Sequence, residues 1–168
     1  FVSPILPLFI ESFFPPGKGG VASTTGALYA ISGGAAALTA GGTGYLSDRV
    51  GYKPILLVYL ILTAACMLLH SMAESITHLA LLRVLYGIAA GGILPAMNAL
   101  VGRLIPPISY GKAYGLTSSM TCLGMAAGPF LGGIIASWWG YRLPLVLVAV
   151  MTVLIALPIV FGIRSRPR

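Results

Sequence analysis

The chain has 168 residues, 58% of them hydrophobic and 8% charged, with a mean hydropathy of +0.97. These values lie outside the range of soluble globular domains and make lipid the natural solvent. A net charge of +7 and a pI near 9.8 do not point to nucleic acid, because the cations stand singly between apolar runs instead of forming a solvated basic face.

A helix needs about 20 mostly apolar residues to cross a hydrocarbon layer about 30 Å thick. The first apolar stretch, Phe1 to Phe14, would reach only ~21 Å as a helix. It opens on Phe and lacks the charged region and cleavage site of a signal peptide, so it reads as a span already under way. Pro15-Pro16-Gly17 and Gly19-Gly20 punctuate the connection that follows. Full-length spans are then predicted over Val21 to Tyr45, Pro54 to His70, Ile76 to Leu104, Ala113 to Trp138 and Leu143 to Ile163. Short connections favour antiparallel neighbours, so residues 1–168 are predicted to form one bundle, an all-α membrane protein with six transmembrane helices.

Lys and Arg placement orients that bundle. Arg49 and Lys53, Arg103 and Lys112, and Arg164, Arg166 and Arg168 follow the second, fourth and sixth spans, while Lys18 and Arg142 lie on the other side. Both ends and the 44–53 connection are therefore expected in the cytoplasm, as in a multi-pass protein of the cell (inner or plasma) membrane. Trp138, Trp139 and Tyr141 cluster at the opposite interface, as an aromatic belt would.

Residues 44–53 read Gly-Tyr-Leu-Ser-Asp-Arg-Val-Gly-Tyr-Lys, in a chain whose only carboxylates are Glu11, Asp48 and Glu74. Gly44 and Gly51 would permit close backbone approach and a sharp turn, and Asp48 and Arg49 could pair with each other, with neighbouring chain or with a helix terminus. Cys66 and Cys122 lie in apolar runs without metal-ligand spacing, so no metal site is expected and both read as packing residues. Met67, Met72, Met120 and Met125 read as core fill. His70 and His78 bracket a loop around Glu74 and read as solvated rather than as a pH-sensing pair.

Arg83 stands inside the fourth span, near its outer end. A central Arg costs about 2.5–3.5 kcal/mol on insertion scales, so it should face the bundle interior or a wet cavity, unless it snorkels to the interface. Midway along the same span, Pro95, Met97 and Asn98 follow Gly91-Gly92, where a broken or wide helix could line a cavity. In the fifth span Gly115, Gly124, Gly128, Pro129, Gly132 and Gly133 follow the spacing G-x8-G-x3-G-P-x2-G-G. Gly124, Gly128 and Gly132 share one face that another helix can approach, and Pro129 removes the hydrogen bond to the Met125 carbonyl.

The 44–53 segment resembles the cytoplasmic loop signature of the major facilitator superfamily, G-x-L-a-D-R-x-G-R-K, with Tyr52 where many members carry Arg. Arg83 followed four residues later by Gly87 matches the fourth-helix pattern, and the fifth-span glycines are close to the antiporter signature of the drug:proton branch. The resemblance implies one six-helix half of a twelve-helix fold, with the substrate between two halves. It implies a gating latch built on Gly44, Asp48, Arg49, Gly51 and Lys53, and a role for Arg83 in proton coupling or in structuring the coupling site. The implied activity is efflux of small amphipathic compounds, driven by the proton gradient without a further cofactor. The implied partners are the lipid bilayer, a small-molecule substrate and a second six-helix half.

The opening Ser-Pro-Ile-Leu-Pro-Leu-Phe-Ile-Glu-Ser resembles the first helix of second halves and favours the C-terminal half, although the antiporter signature is usually strongest in first halves. No carboxylate falls inside a span, so the proton carrier is expected on the other half. A symporter or uniporter of the same fold for a sugar or organic acid, and a half-size scaffold pairing with another chain, remain alternatives. No phosphate-binding loop, nucleophile with its base or paired-carboxylate site is present, so no catalytic residue is assigned and an enzyme is not expected.

Overall fold

The computed structural model describes residues 5–11 and 20–162. Its helices are α1 (Ile5–Glu11), α2 (Val21–Val50), α3 (Tyr52–Ser71), α4 (Ile76–Gly91), α5 (Ile93–Leu104), α6 (Tyr110–Trp139) and α7 (Arg142–Gly162), with a 3-10 turn at Pro107–Ser109. A bilayer offers no water to backbone N–H and C=O groups, so apolar runs of this length close their hydrogen bonds internally as helices. Five segments are long and apolar enough to cross a membrane: Val21–Val50, Tyr52–Ser71, Ile76–Leu104, Pro107–Trp139 and Arg142–Phe161. They coincide with the five predicted spans, most of them extended by one to several residues at their ends. Of the shorter first stretch, Ile5–Glu11 is helical, and the rest lies outside the described residues, as do Lys18 and the Arg164, Arg166 and Arg168 tail.

Helix junctions fall where the backbone can turn. Among the described residues Gly20, Gly51 and Gly140 are the positive-φ glycines, at φ 118°, 106° and 82°. The first two bound α2, and Gly140 follows α6. The connection at 44–53 is much tighter than a loop: α2 runs helically through Val50, Gly51 alone intervenes, and Tyr52 already belongs to α3. No breaker separates Gly44 from Val50, so the helix has no reason to stop sooner. Gly44 makes no close approach among the described residues, since a Cβ placed on it would meet nothing within 4 Å. The Ser75 hydroxyl caps α4 by accepting the His78 N–H at 3.2 Å.

The span 76–104 is broken where the paired glycines suggested. α4 ends at Gly91 and α5 begins at Ile93. Pro95 supplies a cause, because it has no N–H to give the Gly91 carbonyl and its ring crowds that turn. The break also admits close neighbours, since a Cβ on Gly92 would overlap the Tyr59 ring.

Three buried clusters hold the bundle together. Leu6, Phe9 and Ile10 of α1 pack on Leu28, Ala73, Leu79 and Leu82. Ile55, Leu56 and Leu60 of α3 meet Ala96 and Ala156, with Met97 against them. Ala64 and Met67 meet Leu145 and Ala149 of α7. The tightest approach joins α2 to α4: a Cβ on Gly87 would overlap the Ser32 carbonyl, and one on Gly91 would overlap the backbone of Ala36. Farther along α2, the Thr43 hydroxyl donates to the Thr39 carbonyl at 2.8 Å. Its oxygen is thereby free to accept the Tyr59 hydroxyl at 2.9 Å.

Several apolar side chains stand outside these clusters. Of the four methionines read as core fill, only Met67 is buried, while Met72, Met120 and Met125 are exposed. Cys66 is buried as expected, but Cys122 is exposed on α6. These departures share a physical origin: in lipid an outward apolar residue is as well solvated as an inward one, so hydrophobicity no longer reports facing. N-ethylmaleimide applied to detergent-solubilised protein is expected to modify Cys122 within minutes and to leave Cys66 unmodified until the bundle is denatured. Peptide mass spectrometry of the two cysteines checks this.

Candidate functional site

At the Asp48 end, helix termini bring a charged and aromatic cluster together. Asp48 accepts a hydrogen bond from the Tyr52 hydroxyl, one helical turn away across Gly51. Arg49 is engaged by an aromatic face instead of by Asp48, its guanidinium lying 4.5 Å from the Tyr45 ring centroid. Arg103, at the end of α5, stacks 4.6 Å over the Tyr52 ring. Tyr52 is the position at which the signature departs from its usual Arg, and it takes on two tasks: it bonds the carboxylate and seats a cation on its ring.

Lys53 reaches across the bundle to donate to the Val160 carbonyl at 2.8 Å, near the end of α7. The last carbonyls of a helix lack intrahelical donors, so a cation there acts as a cap. Lys53→Met is expected to lower stability by about 1 kcal/mol, after allowance for solvent screening, while Lys53→Arg retains most of it. Thermal unfolding of the two variants in detergent reads the difference.

At the other end lies a second cluster, deep in the bundle. Arg83 is 2% exposed and stands two turns into α4, about 10 Å along its axis. Its guanidinium carbon is 5.7 Å from the ring centroid of Tyr29 on α2 and 5.5 Å from that of Tyr86 on α4. Nε and Nη2 of Arg83 are buried without an acceptor among the described residues. Cation–π attraction to two rings is the compensation this packing provides.

His70 joins this cluster, contrary to the expectation that it is solvated. α3 continues to Ser71, so His70 sits in its last turn, 1% exposed. Its Nδ1 lies 2.6 Å from the Cys66 carbonyl, and its ring meets Tyr86 edge-on with centroids 6.0 Å apart. The clue in the sequence was the stripe Leu60, Thr63, Met67, His70 at helical spacing, all buried. Tyr29 and Tyr86, which the sequence reading did not single out, complete the cluster. His78 and Glu74 are exposed, as expected of a loop and helix start.

The remaining candidates are spread along α5 and α6. Met97 packs, partly buried, against the α3–α5–α7 core cluster. Asn98 contributes its backbone carbonyl, which accepts the Tyr114 hydroxyl at 2.9 Å and ties α6 to α5. Pro95 is half-buried beside the helix break. On α6, Gly128 and Gly132 are buried with Pro129 between them inside a continuous helix. Gly115, Gly124 and Gly133 are open, with nothing within 4 Å of a Cβ. The expected single groove is thus filled at its lower half and bare above. A shallow, open depression runs along Gly115, Ser118, Ser119, Cys122 and Leu123.

Five helical segments long and apolar enough to span a membrane, one of them interrupted, and an arginine buried between them define a multi-pass helical membrane protein. The chain belongs to the Major Facilitator Superfamily, whose family model matches residues 1–168. It is 33% identical over 164 residues to the multidrug resistance protein MdtG of Klebsiella pneumoniae (strain 342), covering 98% of this chain and 40% of that protein. It is 35% identical over 141 residues to the proteins of the same name from Enterobacter lignolyticus (strain SCF1) and Salmonella typhi, covering 84% of this chain in each case. The chain therefore spans between about a third and two fifths of the length of these relatives.

Proposed function

We propose that this bundle is one half of a secondary transporter that exports small amphipathic compounds in exchange for protons by alternating access. The observation that carries this reading is Arg83, a charge held inside the bundle with two unpartnered N–H groups, a placement that membrane proteins reserve for coupling and transport sites. The name shared by the similar proteins, multidrug resistance protein MdtG, supports the substrate class.

A second six-helix half is the proposed partner. Support comes from the bare glycines of α2 (Gly26, Gly33, Gly34, Gly41, Gly42) and α6 (Gly115, Gly124, Gly133), where a Cβ would meet nothing within 4 Å among the described residues. Small residues of this kind let another helix come close. The opening residues, similar to the first helix of second halves, favour the C-terminal half, and the Lys and Arg placement favours both of its ends and the Asp48 cluster in the cytoplasm, with the rest in the cell membrane. Alternating access then rocks the two halves about that site. Gly44, Asp48, Arg49, Gly51 and Lys53 latch one access state. The proton gradient is the energy source, and no cofactor is required.

The test is efflux of the dye Hoechst 33342 from proteoliposomes containing the transporter, with and without an imposed pH gradient. Acceleration by the gradient supports antiport. Export that ignores the gradient would instead favour the uniporter reading, and no export by protein that is otherwise folded would favour the scaffold.

A further inference from the structure

The chain holds only three carboxylates, and Glu11, Asp48 and Glu74 are all exposed. A proton carrier inside this bundle must therefore be another kind of group. Cysteine, tyrosine, lysine and arginine release their protons well above neutrality, which leaves histidine. There are two, and His78 is exposed. We propose that His70 is a proton-binding site of this bundle, its Nε2 accepting one proton and the new imidazolium displacing the Arg83 guanidinium toward Tyr29 on α2. This rests on the antiport reading above and names a carrier for it in this half.

Hydrogen-bond chemistry fixes the tautomer. A carbonyl only accepts, so the 2.6 Å contact between Nδ1 and the Cys66 carbonyl puts the hydrogen on Nδ1. In the neutral ring Nε2 is then a bare lone pair, and it is buried without a donor. Beside it, Arg83 has two buried N–H groups without an acceptor. Both residues meet the same Tyr86 ring. A neutral His70 is thus compatible with its neighbour, whereas a protonated one sets two cations side by side.

The surroundings make Arg83 the dominant partner of this site. The charged or titratable groups acting on the His70 ring are Arg83 and His78 from α4, with Tyr86 against its edge and Cys66 behind it on α3. α7 brings Leu145, Ala149 and Val148 to this region, and its only charged residue among those described, Arg142, is exposed. From α2 comes Tyr29, across Arg83, while the charges of α2 and α5, Asp48, Arg49 and Arg103, lie at the opposite end. Two carboxylates stand at this end, Glu74 in the turn after α3 and Glu11 at the end of α1, but both are exposed and neither is among the charges acting on the His70 ring. Relief must come from Arg83 moving along the α2–α4 seam, which also carries Gly87 and Gly91.

The proton balance is simple. One proton passes from water on the side open to the site onto Nε2, and leaves Nε2 to water once the site opens to the other side. No bond other than N–H forms or breaks.

The deciding experiment compares Hoechst 33342 efflux with and without a pH gradient in proteoliposomes of the assembled transporter. The ratio of the two rates is expected to exceed ten for the wild type, to fall to about one for His70→Gln, and to recover for His70→Glu, which again carries a proton. A wild-type ratio of one overturns antiport itself. A wild-type ratio above ten that His70→Gln retains overturns only the assignment to His70. Should neither variant fold, deuterium exchange at the histidine C2 position, read by mass spectrometry on the unmodified protein, decides. A sigmoidal dependence on pH in the His70 peptide supports the site, and a flat profile overturns it.

Discussion

Valine in place of Gly87 is expected to abolish accumulation of the folded protein. A side chain there would start inside the Ser32 carbonyl and against Ala35, and backbone cannot swing aside as a flexible side chain can. Overpacking a core commonly costs about 1–3 kcal/mol. Here the two helix axes must separate along a seam that also includes Gly91 against Ala36, so the loss should reach the top of that range or beyond. The contrast is Gly33→Ala on a bare flank of α2, about 100° round the helix from Ser32, where nothing lies within 4 Å. That variant should keep the bundle intact and, if the face meets a second half, still impair transport. Fluorescence-detected size-exclusion chromatography of the two variants reads folding, and dye efflux reads transport. A monodisperse, fully stable Gly87→Val protein would show that α2 and α4 do not meet as described.

Arg83→Met should separate stability from activity in the opposite sense. A buried charge without an anion costs several kcal/mol. Each flanking ring returns about 0.5–2 kcal/mol. Tyr29 and Tyr86 therefore compensate the guanidinium only in part, and an unbranched apolar residue of similar length should leave the bundle as stable or more so, by about 1–4 kcal/mol. Transport should nonetheless fall at least tenfold, which is about 1.4 kcal/mol in the rate-limiting step. The pair of measurements is thermal unfolding in detergent and gradient-driven efflux. A destabilised but fully active variant would assign Arg83 to architecture instead.

The spans were legible in the sequence because lipid imposes a length and a composition that few soluble segments meet. Paired glycines followed by Pro95 likewise announced the break in the fourth span, since a lost N–H leaves the Gly91 carbonyl without its donor. Facing was far less legible. Met120, Met125 and Cys122 point outward because a hydrocarbon solvent sets no penalty on doing so. His70 was misjudged at a boundary: as the last residue of the predicted span it was read with the following loop, whereas α3 runs on to Ser71 and its last turn packs against α4. The 44–53 segment was recognisable by its residues, yet its geometry was not. A glycine-bounded turn suggests a loop, whereas the chain keeps helical hydrogen bonding up to Gly51. The proton-binding proposal changes where the carrier is sought, from carboxylates on the second bundle to an imidazole on this one.

Gly51 makes the joint between α2 and α3 a single residue long, with its N–H still bonded to the Ser47 carbonyl at 2.9 Å. Such a joint has no slack. If α2 twists or slides, α3 is obliged to follow unless Gly51 itself swivels, and Lys53, clamped to the far end of α7, resists that swivel. Torque applied near Arg83 would then arrive at Asp48 undiluted, so that two rods and one pivot suffice to relay an event from one membrane surface to the other.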